Sequence, residues 1–190
     1  MRTRSMLLTV LVCAVVAPPA GADEAALLEE ARQVAAAMPP KLLSVLQEEI
    51  NRGGPEEAIA VCKEKAPAMA RAASEETGWA IRRVSLKNRN PNAVPDDFER
   101  AVLEDFDRLA AAGADPKTLE KAQTVVVDGV PTYRYMKALP TQELCLNCHG
   151  KPEEMSDAVV ARLEELYPDD RGTGYEVGQI RGAITIKKPL

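Results

Sequence analysis

The sequence predicts an α+β domain built around an antiparallel β-sheet. Three observations lead to this fold class. Two segments with helical periodicity come first, strand-like segments interrupted by further helices follow, and a hairpin signal and a closing strand lie in the C-terminal half. The chain of 190 residues contains no repeat or low-complexity tract, which favours one domain.

The first half of the chain is predominantly helical. Apolar residues recur at intervals of three and four from Asp23 to about Asn51, which predicts an amphipathic helix that is broken or kinked at Pro39-Pro40. A second helix is expected from Pro55 to about Ala73, with Cys62 on its apolar face. The pattern of apolar residues predicts a third helix from Asp96 to Ala112.

The strands are predicted from alternation and turn chemistry. Trp79 to Leu86 alternates in the manner of a strand, and Thr124 to Leu139 forms a hairpin signal around Asp128-Gly129, a pair suited to a type I′ turn. A short helix from Ser156 to Tyr167 and a last strand from Gln179 to Lys187 complete the pattern.

The most specific motif is Cys145-Leu146-Asn147-Cys148-His149. Covalent attachment of a c-type haem requires two thiols at this spacing, each adding to one haem vinyl group, and a following imidazole that binds the iron. We therefore predict one haem c, attached through Cys145 and Cys148 with His149 as an axial ligand. The motif lies late in the chain, unlike in the small all-helical cytochrome c fold, where it is near the N-terminus.

Two other uses of these thiols have to be weighed. Zinc also binds paired cysteines and histidine, but a closed zinc site needs a fourth ligand, and His149 is the only histidine in the chain. A Cys145–Cys148 disulfide is the second alternative, since such bonds persist outside the cytosol.

Residues 1–22 have the features of a secretory signal peptide. Arg2 and Arg4 form a basic start, an apolar run follows, and Ala20-Gly21-Ala22 fits a cleavage site. We predict export to the periplasm and a single mature domain of residues 23–190, without membrane insertion. Export agrees with the haem motif, because bacteria attach haem c on the outer side of the cytoplasmic membrane.

The charge of the chain bears on its partners. The formal net charge is −5, and it becomes −7 in the mature chain because residues 1–22 carry Arg2 and Arg4 and no acid. An acidic surface argues against nucleic acid and anionic lipid as partners. It favours a redox or signalling partner protein, and the leading helix suggests a homodimer as a further expectation.

The second axial ligand of the iron remains open from the residues alone. Methionine is the usual partner in electron-carrying cytochromes, whereas a cysteine thiolate lowers the reduction potential. Cys62 is the one cysteine of the mature chain outside the motif. The candidates, besides an open position or a Lys or Tyr ligand, are Cys62, Met38, Met69, Met136 and Met155.

Arginines are the expected partners of the two haem propionates, because a guanidinium group pairs with a carboxylate in bidentate fashion. Five arginines lie on or beside predicted strands: Arg82, Arg83, Arg89, Arg134 and Arg181. Of these we predict Arg82, Arg89 and Arg181 as propionate contacts.

An ordered set of motifs resembles one known family. These are Ala58–Cys62, Val84–Asn92, Cys145–Gly150, Tyr167–Asp169, Gly174-Tyr175 and Ile180–Ala183. Over roughly residues 25–188 the chain resembles a family of exported c-type haem proteins with a PAS-like fold, once catalogued as a domain of unknown function and represented by a cyanobacterial redox-sensor-like protein. Phe98 and Gln179 depart from the pattern expected of that family.

The resemblance implies a PAS-like antiparallel sheet flanked by helices, with a long helical segment at the N-terminus. It also implies a covalent haem c at Cys145 and Cys148, with His149 and a cysteine, by position Cys62, as axial ligands. The leading hypothesis is a redox sensor or low-potential electron carrier. A diatomic gas sensor, in which nitric oxide or carbon monoxide displaces Cys62, is the alternative. We expect no enzymatic activity, since peroxidase chemistry normally uses a second histidine.

Overall fold

The computed structural model describes the backbone of residues 20–190 and the side chains of residues 23–190. The helices are α1 (Ala20–Gly53), α2 (Pro55–Thr77), α3 (Asp97–Ala111), α4 (Glu143–His149) and α5 (Asp157–Leu166). The strands are β1 (Ala80–Val84), β2 (Glu120–Val127), β3 (Val130–Pro140) and β4 (Ile180–Pro189). The predicted signal peptide, residues 1–22, lies almost entirely outside the described residues and stays a prediction.

The four strands form one antiparallel sheet in the order β1-β4-β3-β2. The closing strand β4 lies in the interior of the sheet, where it pairs with both β1 and β3. The predicted α+β class, with an antiparallel sheet flanked by helices, is confirmed. Within the described part of the chain, no helix is both long and apolar enough to span a bilayer.

The hairpin forms as predicted. Asp128 and Gly129 have φ values of 50° and 82°, the positive angles that a type I′ turn requires at both central residues. Strand β2 begins at Glu120, four residues before the predicted start, because its polar first half pairs with β3 as far as Lys137. This half alternates partly buried and exposed side chains, as expected of an edge strand.

Helix α1 differs from the prediction at Pro39-Pro40. The expected break is absent, since the α-helix continues through both prolines to Gly53. A proline inside a helix costs about 3 kcal/mol, and packing against the rest of the molecule offsets this cost. Ala31 and Ala35 of α1 are fully buried against a cluster that includes Trp79. The predicted homodimer through this helix stays a prediction.

The other helices lie close to their predicted positions. Helix α2 runs to Thr77, four residues beyond the predicted end, and stops where Gly78 adopts a left-handed conformation with φ of 73°. Helix α3 begins with a capping box in which the Asp96 side chain accepts from the Glu99 amide and the Glu99 side chain accepts from the Asp96 amide.

The sheet separates two hydrophobic cores. On one face, α1 packs on Trp79, Tyr133 and Ile184. On the other face, Leu103 and Phe106 of α3 pack on the strands. Neighbouring residues of β4 join opposite cores, Ala183 on the α3 side and Ile184 on the α1 side, as the two-residue period of a strand requires.

Candidate haem site

The Cys-x-x-Cys-His motif lies on the short helix α4, directly after strand β3. Residues three apart on a helix are neighbours on its surface, so α4 places Cys145 and Cys148 on the same side. Among the described residues, neither of them forms a disulfide with the other or with Cys62. The sequence had predicted the motif but no helix there.

A cavity of about 380 Å³ opens beside this helix. Cys62 from α2 and both Cys145 and His149 from α4 line it, so Cys62 meets the distant Cys-x-x-Cys-His motif at one site. Helices α1 and α2 supply an apolar wall that includes Leu42 and Leu43. On the sheet side the lining is cationic, with Arg82, Arg83, Lys87, Arg89 and Arg181.

Cys148 is not among the residues that line the cavity, although its neighbour Cys145 on the same side of α4 is. Its Sγ is 3.9 Å from the carbonyl oxygen of Pro55, and its side chain packs on the cluster that contains Ile59 and Tyr167. Burial raises the pKa of the Cys148 thiol to about 11. The group is therefore a neutral thiol at physiological pH.

Hydrogen bonding fixes the tautomer of His149. Its Nδ1 is 2.6 Å from the carbonyl oxygen of Gly172, which can only accept, so Nδ1 carries the proton and donates. Its Nε2 is 3.5 Å from Nη1 of Arg181, a group that can only donate. Nε2 therefore carries the lone pair, which faces Arg181, and both residues line the cavity. Histidines that bind metals have this arrangement, with the second ring nitrogen donating to a carbonyl or carboxylate.

The surroundings of His149 also keep it neutral. Burial lowers its pKa well below the usual value, and the positive charges of Arg181 and Arg89 lower it further. A neutral imidazole is the form that binds a metal ion. His149 thus has both the protonation state and the orientation that an axial ligand needs.

Only some of the candidates for the second axial position reach the cavity. Met136 is fully buried in the core on the α3 face of the sheet, and Met155 packs on the cluster behind Cys148. Cys62, Met38 and Met69 line the cavity. Of the four methionines named as candidates, two therefore line the cavity together with Cys62, and an open position or a Lys or Tyr ligand stays an alternative.

The three arginines predicted as propionate contacts differ in their surroundings. Arg82 donates to the buried carboxylate of Glu99, on the α3 side of the sheet. Arg89 Nε donates to Asp170 at 2.9 Å, and its Nη2 donates to the carbonyl oxygen of Cys148. Both therefore already have carboxylate partners. Arg181 has none among the described residues, and it contacts His149 instead.

Arg83 was not among the predicted contacts, yet it lines the cavity. Arg82 lines the cavity as well, but strand pairing explains why only Arg82 meets Glu99. Directly opposite residues of an antiparallel pair share a face, and Arg83 lies opposite Ile184 of the α1 core, whereas Arg82 lies opposite Thr185. Alternation along the strand was the available signal, but it does not reveal which face meets the cavity.

Residues 170–175 form a second missed part of the site. Gly172 accepts from His149 and has its own amide bonded to Asp170 Oδ1 at 2.7 Å. The Tyr175 amide donates to the His149 carbonyl oxygen at 2.9 Å. A Cβ at Gly172 would lie 3.3 Å from Cβ of Arg89 and 3.5 Å from Nδ1 of His149, so this position favours glycine. The sequence predicted only a loop here.

Comparisons with known proteins identify the family to which the chain belongs. A solved structure described as the crystal structure of the cyanobacterial heme-protein Tll0287 has a TM-score of 0.62 and 26% identity, covering 92% of this chain and 98% of the other. None of the curated proteins matches the chain. The model of the Tll0287-like family matches residues 21–189, which confirms the resemblance to that haem protein family. The chain is a member of the Tll0287-like family.

Proposed function

We propose that the protein binds one haem c, attached covalently through Cys145 and Cys148, with His149 and Cys62 as its two axial ligands. Family membership and the similarity to a solved haem protein support haem binding. The Cys-x-x-Cys-His motif supports covalent attachment. The single observation that carries the proposal is the meeting of Cys62, Cys145 and His149 at one cavity.

The residues at this cavity fit a haem. The lining is apolar where α1 and α2 form it, as a porphyrin ring requires, and cationic on the sheet side, as propionates require. Arg181 adds a buried Nε atom that has no hydrogen-bond partner among the described residues. When bound, a haem would supply a one-electron redox change at its iron.

Cys62 is the best-supported candidate for the second axial ligand. It extends into the cavity from α2, whereas His149 enters from α4, so the two side chains come from different elements. A thiolate ligand stabilises ferric iron and lowers its reduction potential, whereas Met38 or Met69 would raise it. The low-potential interpretation therefore depends on Cys62.

The proposed role is that of an exported, periplasmic redox sensor or low-potential electron carrier that acts on a partner protein. An enzymatic role is not part of this proposal. The residues proposed to bind the haem lie inside the domain, so a partner protein would receive a signal or an electron at the surface of the domain. The acidic net charge of −5 favours a basic partner.

The test uses protein matured with haem in a bacterial periplasm. Ferric low-temperature EPR of the wild type should show a low-spin signal with the narrow g-spread of thiolate/imidazole ligation, and Cys62→Ser should abolish it. An unchanged spectrum in Cys62→Ser would exclude Cys62 as a ligand. Mass spectrometry provides a separate measurement of attachment, since Cys145→Ser with Cys148→Ser should remove the covalent haem.

Carbon monoxide binding distinguishes the electron carrier from the gas sensor. A carrier in which Cys62 stays on the iron should bind carbon monoxide slowly or not at all in the ferrous state. Rapid uptake by the wild type, with loss of the thiolate signature, would instead support sensing of a diatomic gas.

A further inference from the structure

Three of the five arginines that line the cavity form no ion pair among the described residues, and two of these three, Arg83 and Arg181, are half-buried, whereas Arg71 is exposed. Arg82 is paired with Glu99, and Arg89 is paired with Asp170. Arg83 on β1 and Arg181 on β4 also line the cavity, but within residues 23–190 neither forms an ion pair.

This pair of charges is unfavourable without an anion. The Nε atom of Arg181 is buried and has no hydrogen-bond partner among the described residues. Burial lowers the pKa of Arg83 to about 9, and repulsion from Arg181 contributes to the decrease. Arg83 still carries its charge at neutral pH. Buried charges in proteins are normally paired, so two adjacent unpaired guanidinium groups in a cavity indicate an anionic occupant.

We propose that Arg83 and Arg181 are the propionate-binding arginines of this protein, in place of Arg82 and Arg89. This inference rests on the proposed function, since the two propionates are those of the haem c attached at Cys145 and Cys148. Guanidinium groups match carboxylates in shape and charge, and two cations balance two propionates. With this assignment, β1 and β4 would hold the propionates, and the apolar residues of α1 and α2 would contact the rest of a bound haem.

The assignment predicts an effect on the reduction potential. Ferrous haem carries one electron more than ferric haem, so positive charge held close to it in a buried site favours the reduced state. Removing the charge of Arg83 or Arg181 should therefore shift the midpoint potential to a more negative value. Arg82 and Arg89 contribute less, because Glu99 and Asp170 compensate their charges.

The experiment compares Arg83→Gln and Arg181→Gln with a matched control. Arg71→Gln removes the same charge from the cavity lining, but Arg71 is exposed on α2 and its charge is screened by solvent. Arg83→Lys keeps the charge and removes the fork geometry. Each protein is first analysed by mass spectrometry for covalent haem. The midpoint potential is then measured by spectroelectrochemistry, and the propionate bending band by resonance Raman spectroscopy.

We expect Arg83→Gln and Arg181→Gln to shift the potential to more negative values and to shift the propionate band, with Arg71→Gln unchanged in both. Arg83→Lys should have a midpoint potential close to that of the wild type, because the charge is kept. It should still shift the propionate band, because the two-pronged guanidinium geometry is lost. Equal potentials and bands in Arg83→Gln, Arg71→Gln and the wild type would overturn the assignment while leaving haem binding intact. A wild type without covalent haem would contradict the proposed function itself.

Discussion

Replacing Arg89 by glutamine tests whether this residue stabilises the fold around the candidate haem site or contacts the haem itself. Only 8% of the Arg89 side chain and 11% of its partner Asp170 are exposed. Arg89 also donates to the carbonyl oxygens of Cys148 and Gly172. It therefore joins α4, the helix proposed to bind the haem, to the loop whose Gly172 carbonyl oxygen accepts a hydrogen bond from His149.

The size of the effect follows from this burial. Removing one partner of a buried ion pair costs about 3–5 kcal/mol, because the other charge is left uncompensated. For a domain of this size each kcal/mol lowers the melting temperature by about 2–4 °C. Arg89→Gln should therefore lower the melting temperature by about 6–20 °C, measured by circular dichroism on proteins with equal haem content.

A double-mutant cycle with Asp170→Asn shows which interaction causes the loss of stability in Arg89→Gln. If the ion pair is the main interaction, Arg89→Gln should cost much less in the Asp170→Asn background than in the wild type. The midpoint potential should change little in either variant. A melting temperature within about 2 °C of the wild type, which corresponds to at most about 0.5–1 kcal/mol, together with a large shift in midpoint potential, would refute the structural role and would support Arg89 as a propionate contact.

Further predictions concern acid stability, the methionines and the loop of His149. Burial acts to raise the pKa of Asp96, but hydrogen bonds from the Glu99 amide, Arg134 and Lys187 outweigh it and lower this pKa from 3.8 to about 2. Since the folded state holds this carboxylate ionised, the free energy of unfolding should fall as the pH drops from about 4 toward 2. In Asp96→Asn, the free energy of unfolding measured with denaturant should fall less steeply with pH over this range; an equally steep fall in both proteins would contradict this. Replacing Met38 or Met69 by leucine should preserve the ferric low-spin EPR signal, and its loss in either variant would assign the ligand to that methionine. Gly172→Ala should change the EPR g-values by moving the carbonyl that accepts from His149, because the nearest neighbours of a new Cβ lie at 3.2–3.5 Å; identical g-values would show that the loop adapts.

Most of the fold could be predicted because its signals are local. Short-range interactions determine the two positive φ angles of Asp128-Gly129 and the capping box of α3, and the structure contains both. The continuation of α1 through Pro39-Pro40 was missed because it depends on packing with distant residues. Helix α4 was missed for another reason, since it has only seven residues and its N-cap residue Gln142 makes no side-chain capping hydrogen bond.

The residues of the candidate site differ in how far the sequence alone predicts their roles. Cys145, Cys148 and His149 form a contiguous motif whose spacing alone indicates its chemistry. Cys62 could be proposed by elimination and by resemblance, but its position beside Cys145 depends on how α2 packs in the fold. The carbonyl of Gly172 could not be found from the sequence, because any residue offers a carbonyl oxygen and only the tertiary structure brings this one to His149.

The two arginines of β1 show how much depends on strand register. Arg82 and Arg83 are adjacent and chemically identical, so composition and charge cannot distinguish them. Pairing with β4 places Arg82 opposite Thr185, whose hydroxyl donates to the buried Glu99, and places Arg83 opposite Ile184 on the cavity side. A shift of one residue would exchange the two faces. Arg83 would then replace Arg82 beside Glu99, so the ion pair alone does not select the register. The shift would also remove Ile81 from the core on the α1 face and Val84 from the core on the α3 face. These apolar residues of β1 therefore set the register, and the register determines which of two identical side chains lies on the α1 side, where we propose that the haem binds.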